Sequence, residues 1–397
     1  MNDPRSPRSR RAWTAALCAV ATALLTAYAG SLVVRPASAA TAPVSANRLA
    51  VGPWGIDASD ELARDWAAQT GTTRTLLGRI EQQSRVRWFT PGIPTSSVAS
   101  VIQRYIANVQ ATNGPDALVP MALFRIFPRG EAQRDQPMTD AEVAAYRAWM
   151  LAAVQAIGST RAVVVLEPDL AELAPPNRSG APVVPDAARR EGLVKQAAQR
   201  LSALPHTTVY LDSGDSDWLP VDKATTLLIR SGVAYARGFA LGATHYSPVG
   251  ANVTYAEALQ ASLAQQGYAG RRAILDTADN GRGFTWMYWH SHKARLGSDF
   301  DNAAICTSQT ATECVTLGHA PTWNVGSSRA PYVDGFLWFG RPWLTRQASP
   351  YNRTRALQAA RTTPFSMMNL TGGTSWMPTP TPTDTTTATD SPSASGS

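Results

Sequence analysis

Cysteine is scarce, three in 397 residues, and one of those, Cys18, falls in the first 39. No Cys/His spacing of the metal-binding kind occurs, so no metal centre is expected. No glycine-rich phosphate loop follows a strand, and no cofactor is expected either. Beyond the first 39 residues Lys and Arg form no cluster of the kind a nucleic-acid binder needs. No internal repeat is visible, so a solenoid or propeller is excluded. Long apolar runs are confined to residues 12–34. Arg5, Arg8, Arg10 and Arg11 precede that run and Ala37-Ser38-Ala39 follows it, the layout of a secretory signal over 1–39. Arg10-Arg11 allows a twin-arginine route, and an uncleaved membrane anchor is the alternative. Setting aside that segment's five arginines and Asp3 lowers the net charge from +7 to about +3.

At the other end, residues 378–397 are Pro, Thr and Ser with no apolar face, predicted to be a disordered tail or an extended stalk. One domain over 40–377 remains. Cys306 and Cys314 are expected to pair outside the cytoplasm and close a surface loop. Of 12 tryptophans, 11 lie beyond the leader. Most would be core, but indoles also stack on the apolar faces of sugars.

Between 61 and 276, strand and helix patterns alternate. Strands are expected at 86–89, 118–126, 162–168, 207–212, 238–242 and 272–276, and a last one at 334–339. Helices are expected at 61–69, 76–83, 98–110, 140–157, 187–204, 221–231, 255–266 and 351–362. The helix at 140 carries a capping-box signal, Thr139 with Glu142. Such alternation argues for parallel strands with crossover helices. Residues 277–332 break the rhythm, and a loop of that length in a compact domain is usually functional.

The most informative stretch is AVVVLEPD, 162–169. Unbroken Val and Leu suit a strand covered on both faces, and Pro168 should end its pairing. Asp169 then projects from the C-terminal strand end, where α/β barrels place their chemistry. The strands within VYLDSGD and ILDTADN end at Asp212 and Asp276 in the same way. Each alone could merely cap a turn or helix, since Asp is favoured there. Three converging on one mouth, with tryptophans and without a metal motif, point to glycoside hydrolysis. That reaction needs one carboxyl to protonate the leaving oxygen and a second as base or nucleophile.

Residues 163–173 (VVVLEPDLAEL) resemble the signature of glycoside hydrolase family 6, the cellobiohydrolases and β-1,4-endoglucanases, in which a strand ends in E-P-D. Further resemblances follow in order: RWF at 87–89, FRIFPRG at 124–130, YLDSGDSDW at 210–218, ILDTADNG at 274–281, WHSHKARLG at 289–297 and DGFLWFGRP at 334–342. The resemblance implies a distorted seven-stranded parallel β/α barrel and hydrolysis of β-1,4-glucan with inversion. It puts the general acid on Asp169, a second cleft carboxylate on Asp212, and sugar-stacking indoles on Trp88, Trp218 and Trp289. It also implies a secreted monomer acting on a polysaccharide or oligosaccharide, with no nucleic-acid partner.

The chain departs from the family's pattern on the base side. An ungapped reading puts Gly130 at the Asp of R-D-C. In the closing K-R-P-G-E-S-D-G, Gly340 replaces Lys, Leu344 replaces Glu and Arg346 replaces Asp. The His of L-D-A-G-H has become Asp215. Glu131, Asp135, Asp215 and Asp217 are the carboxylates near enough in sequence to substitute. Two alternatives to the glucanase stay open: a glycan-binding protein with weak or lost turnover, and a hydrolase of another polysaccharide.

Overall fold

A computed structural model describes residues 46–174, 183–323, 325 and 330–364. The expected leader (1–39), most of the Pro-rich loop at 174–185 and the tail at 378–397 lie outside the described residues. Among the described residues, no helix is long and apolar enough to cross a membrane.

Seven strands run parallel and pair strictly in chain order. They are β1 (Arg87–Phe89), β2 (Val119–Leu123), β3 (Ala162–Leu166), β4 (Thr207–Asp212), β5 (Gly238–Leu241), β6 (Arg272–Asp276) and β7 (Val333–Leu337). Every residue of β2 to β7 is buried, as unbroken apolar runs require. Period two survives as a division between two cores. Val163 and Val165 face an inner cluster with Ala122, Tyr210, Ala240 and Ile274. Ala162, Val164 and Leu166 face the outer cluster under the helices.

β1 and β7 form no ladder with each other. A single bridge joins Arg85 to Trp338, with the Val86 N–H donating to the Trp338 carbonyl at 2.8 Å. The sheet is thus a curled, incompletely closed barrel, and the distorted seven-stranded β/α architecture expected from the sequence is the observed one.

Helix Asp140–Ile157 has the expected limits and a complete capping box between Thr139 and Glu142. Two boundaries move for visible reasons. The second strand stops at Leu123 instead of 126, because the N–H groups of Arg125 and Ile126 donate to the Glu167 carboxylate at 2.7 and 2.8 Å. The helix expected at 255 starts at Val249, directly behind Pro248, whose fixed φ suits a helix start.

Residues 277–332 hold short helices at Trp286–Ser291 and Lys293–Leu296, a 3₁₀ turn at Phe300–Asn302, and the Cys306–Cys314 disulfide. They pack on an apolar cluster of their own that includes Phe284, Leu296, Ile305, Trp338 and Trp343.

Candidate active site

The C-terminal strand ends open into a cavity of about 480 Å³. A second basin of about 490 Å³ adjoins it and shares Trp88 and Arg341 as a common wall. Four carboxylates line the first cavity: Glu131, Asp169, Glu172 and Asp301.

Asp169 reaches it from an unusual backbone. Glu167 and Asp169, on either side of Pro168, have φ of 54° and 67°, left-handed values that cost a non-glycine residue of order 1–3 kcal/mol each. Two contacts hold this bend. Glu167, fully buried, accepts the two N–H groups of the β2 end and the Tyr146 hydroxyl at 2.8 Å. Asp212, fully buried below, accepts the backbone N–H of Asp169 and that of Gly214. Burial pushes the carboxyl of Glu167 up to about 7 and that of Asp212 up to about 8, against the backbone donors that pull both down.

Asp169 has no such backbone donors at its carboxyl. Burial raises its pKa well above the carboxylate range, and the neighbouring carboxyls, Glu131 foremost, raise it further. Glu131 is hydrogen-bonded to Asp169 side chain to side chain, and its own pKa is raised by burial and by Asp301. One proton shared between two hydrogen-bonded carboxyls is the arrangement that keeps an acid loaded near neutral pH. Asp301, from the 3₁₀ turn, is raised by burial and partly countered by His245. Glu172 is engaged by Arg134 at 3.2 Å.

The third strand end differs. Asp276 is buried and accepts N–H groups from Ala278 (2.9 Å), Phe339 (3.3 Å) and Gly340, which ties β6 to the chain leaving β7. Burial lifts it to about 7. Gly340, where the family pattern has Lys, is shaped by this knot. A Cβ there would lie 2.7 Å from Asp279 Oδ2 and 2.8 Å from Asp276 Oδ2.

Arg341 follows. Its guanidinium lies 4.0 Å from the Trp88 ring centroid, within electrostatic reach of Asp169, Asp276 and Asp301, and desolvation brings its pKa down to about 10. Its Nε is buried without a hydrogen-bond partner.

Of the indoles expected from the sequence, Trp88 and Trp218 line the cavity, both partly exposed. Trp289 does not. It is 6% exposed, packs against Phe300, and donates Nε1–H to the Gly297 carbonyl at 3.0 Å. One helical turn places Trp286 at the cavity instead. Among the expected carboxylates, Glu131 enters the cavity directly after Gly130, whose φ of +86° makes the turn. Asp135 is exposed and outside the lining, and Asp215 and Asp217 are buried behind it. Asp301, Arg341, Trp286 and His245 were not singled out from sequence. A faint signal for the first existed in the length of the 277–332 loop.

Residues 45–345 match the family model "Glycosyl hydrolases family 6". Endoglucanase A of Thermobispora bispora is 26% identical over 81% of this chain and 63% of its own length. Endoglucanase 1 of Streptomyces halstedii is 27% identical over 73% of this chain and 85% of its own. The chain thus spans under two thirds of the first of these relatives. Among solved structures, the endoglucanase Cel6 of Mycobacterium tuberculosis, in complex with methyl-cellobiosyl-4-deoxy-4-thio-β-D-cellobioside, superposes with a TM-score of 0.64 at 24% identity. That match covers 79% of this chain and 98% of the other.

Proposed function

The chain belongs to the glycosyl hydrolases family 6, and from this premise we propose that it is a secreted glucanase. It hydrolyses β-1,4-glucan with inversion and uses Asp169 as general acid. The observation that carries the reading is the position of Asp169. It is the strand-end carboxyl that lines the cavity, it lacks backbone donors at its oxygens, and burial and neighbouring charge hold it protonated. Endoglucanases among the relatives, and a structural neighbour in complex with a cellobioside-type ligand, support the substrate class.

In this reading the Asp169 proton passes to the glycosidic oxygen as the bond to the anomeric carbon breaks, while water attacks from the opposite face. The base must stand about 6.5–9.5 Å from the acid to leave room for that water. Glu131 is too close, because it is hydrogen-bonded to Asp169. Its role is to hold the acid's proton until transfer. Glu172 is tied to Arg134. Asp301, the remaining carboxylate of the cavity lining, is assigned as the base. Trp218 and Trp286 on one wall, and Trp88 with Arg341 on the other, hold the sugar rings.

Asp169→Asn should lower kcat on soluble β-glucan by ~10²–10⁴-fold, the usual weight of a general acid. Asp301→Asn should remove the acidic limb of the kcat pH profile. Activity of Asp169→Asn equal to that of the unaltered protein would overturn the acid assignment. Tight cello-oligosaccharide binding without reducing-sugar release by the unaltered protein would favour the binding alternative.

A further inference from the structure

Behind the Trp218 wall, Asp215, Asp217 and His245 bring one ligand atom each to within 4.8 Å of one another, all three residues buried. Proximity of acidic groups alone is common. Here a second observation adds to it, because two of the side chains are buried without the partners their atoms need. Asp215 is 0% exposed; its Oδ1 accepts the Ser216 N–H at 2.8 Å, but its Oδ2 has no hydrogen-bond partner. His245 is 8% exposed, and its Nδ1 likewise has none. The two atoms face each other at 3.8 Å, too far for a hydrogen bond.

That separation has a natural reading. Two ligands bound to one ion at the ~2.0–2.2 Å typical of carboxylate and imidazole lie ~3.3–4.3 Å apart, depending on the angle between them. Two carboxylates and an imidazole can also balance a double positive charge, and the Asp215 oxygen buried without a partner would be costly without a cation. The imidazole nitrogen selects against calcium and magnesium, which prefer oxygen throughout. We propose that Asp215, Asp217 and His245 form a binding site for a divalent transition-series cation such as zinc.

The site would join three separate segments of the cavity wall. Asp215 and Asp217 lie in the turn that carries Trp218. His245 lies in the loop after β5 and meets the Trp218 ring edge-on at 4.5 Å. Asp217 Oδ2 also accepts the backbone N–H of Trp286 at 2.6 Å. A bound cation would therefore fix both indoles that face the sugar path, without itself entering the reaction. The site stands or falls independently of the role given to Asp169.

The test is calorimetric titration of the full chain, stripped with EDTA and dialysed, with zinc chloride, manganese chloride and calcium chloride. One zinc per chain at micromolar Kd or tighter is expected, with calcium at least tenfold weaker and Tm rising by several degrees on zinc addition. Asp215→Asn and His245→Gln should each weaken zinc binding at least tenfold while circular dichroism stays unchanged. If either variant fails to fold, anomalous diffraction at the zinc edge from crystals of the unaltered protein takes its place, with a peak expected within about 2.5 Å of the three side chains. No heat of binding, a water in place of the anomalous peak, or unchanged affinity in folded variants would each overturn the site.

Discussion

The ends of β3 and β6 read alike in sequence, a buried strand closing on an aspartate, yet the two aspartates do opposite work. At β6, Asp276 accepts three backbone N–H groups and joins its strand to the exit of β7. At β3 the comparable task has moved two residues upstream to Glu167, which accepts the N–H groups at the β2 exit. Pro168 and two left-handed residues then lift Asp169 clear of the ladder. The difference lies in what the carboxylate oxygens meet. Backbone donors make a strand-end carboxyl a clamp, whereas other carboxyls make it an acid. Strain at one strand end and a saturated knot at the other are two uses of one motif.

Exchanging the two roles by mutation is the strongest way to break this contrast. Asp169→Asn should lose ~10²–10⁴-fold in kcat and hold its Tm or gain slightly. Asn tolerates the left-handed conformation and removes a carboxyl that burial disfavours. Asp276→Asn should keep kcat within about tenfold. It should cost about 1–3 kcal/mol in urea unfolding, because its amide nitrogen, in place of one oxygen, confronts either the Gly340 N–H or those of Ala278 and Phe339. A D276N protein of native stability and lost activity would refute the distinction.

A second pair sharpens the comparison on the indole wall. Trp286→Ala should raise KM for cello-oligosaccharides by roughly tenfold, about 1.4 kcal/mol of lost stacking, with little change in stability. Trp289→Ala should instead cost about 3–5 kcal/mol of stability, as for a truncated core aromatic. If Trp289→Ala folded normally and only KM rose, Trp289 would belong to the sugar path after all.

Much of this was legible before any coordinates. Uninterrupted Val and Leu marked strands buried on both faces, the Thr139–Glu142 box marked a helix start, and E-P-D marked a strand end with a carboxyl beyond it. Legibility failed where side-chain direction depends on a partner far along the chain. Asp212 and Asp276 were readable as strand ends, but their donors come from residues 169, 214, 339 and 340. Trp286 and Trp289 are both aromatic and lie three residues apart. The cavity and the second apolar cluster divide them, and no periodicity rule reaches a helix of six residues. Asp301 sits in a loop placed by tertiary packing alone. In sequence, Gly340 reads as the replacement of the family's Lys. The structure adds its physical reason: Asp276 and Asp279 leave no room for a Cβ.

The last expected effect concerns the carboxyls that serve as clamps. Glu167 and Asp276 stand at about 7 and Asp212 at about 8, all above the ordinary values of about 4 that they take when unfolded. Between pH 4 and 8 the folded protein therefore holds protons that the unfolded chain has released. The stability these protons supply is present in full below pH 4 and is lost as pH rises through 7 and 8. Urea denaturation should accordingly show ΔG falling from pH 5 to pH 8, with each such group adding at most about 1.4 kcal/mol per pH unit. Asp212→Asn removes one titrating group from this window and should flatten the slope by up to that amount. It should leave the slopes due to Glu167 and Asp276 in place, because their donors belong to other strands. A slope unchanged by Asp212→Asn would mean that Asp212 is ionised in the folded protein. The carboxyl under Asp169 would then press on the acid as a fixed negative charge instead of sharing its protonated state.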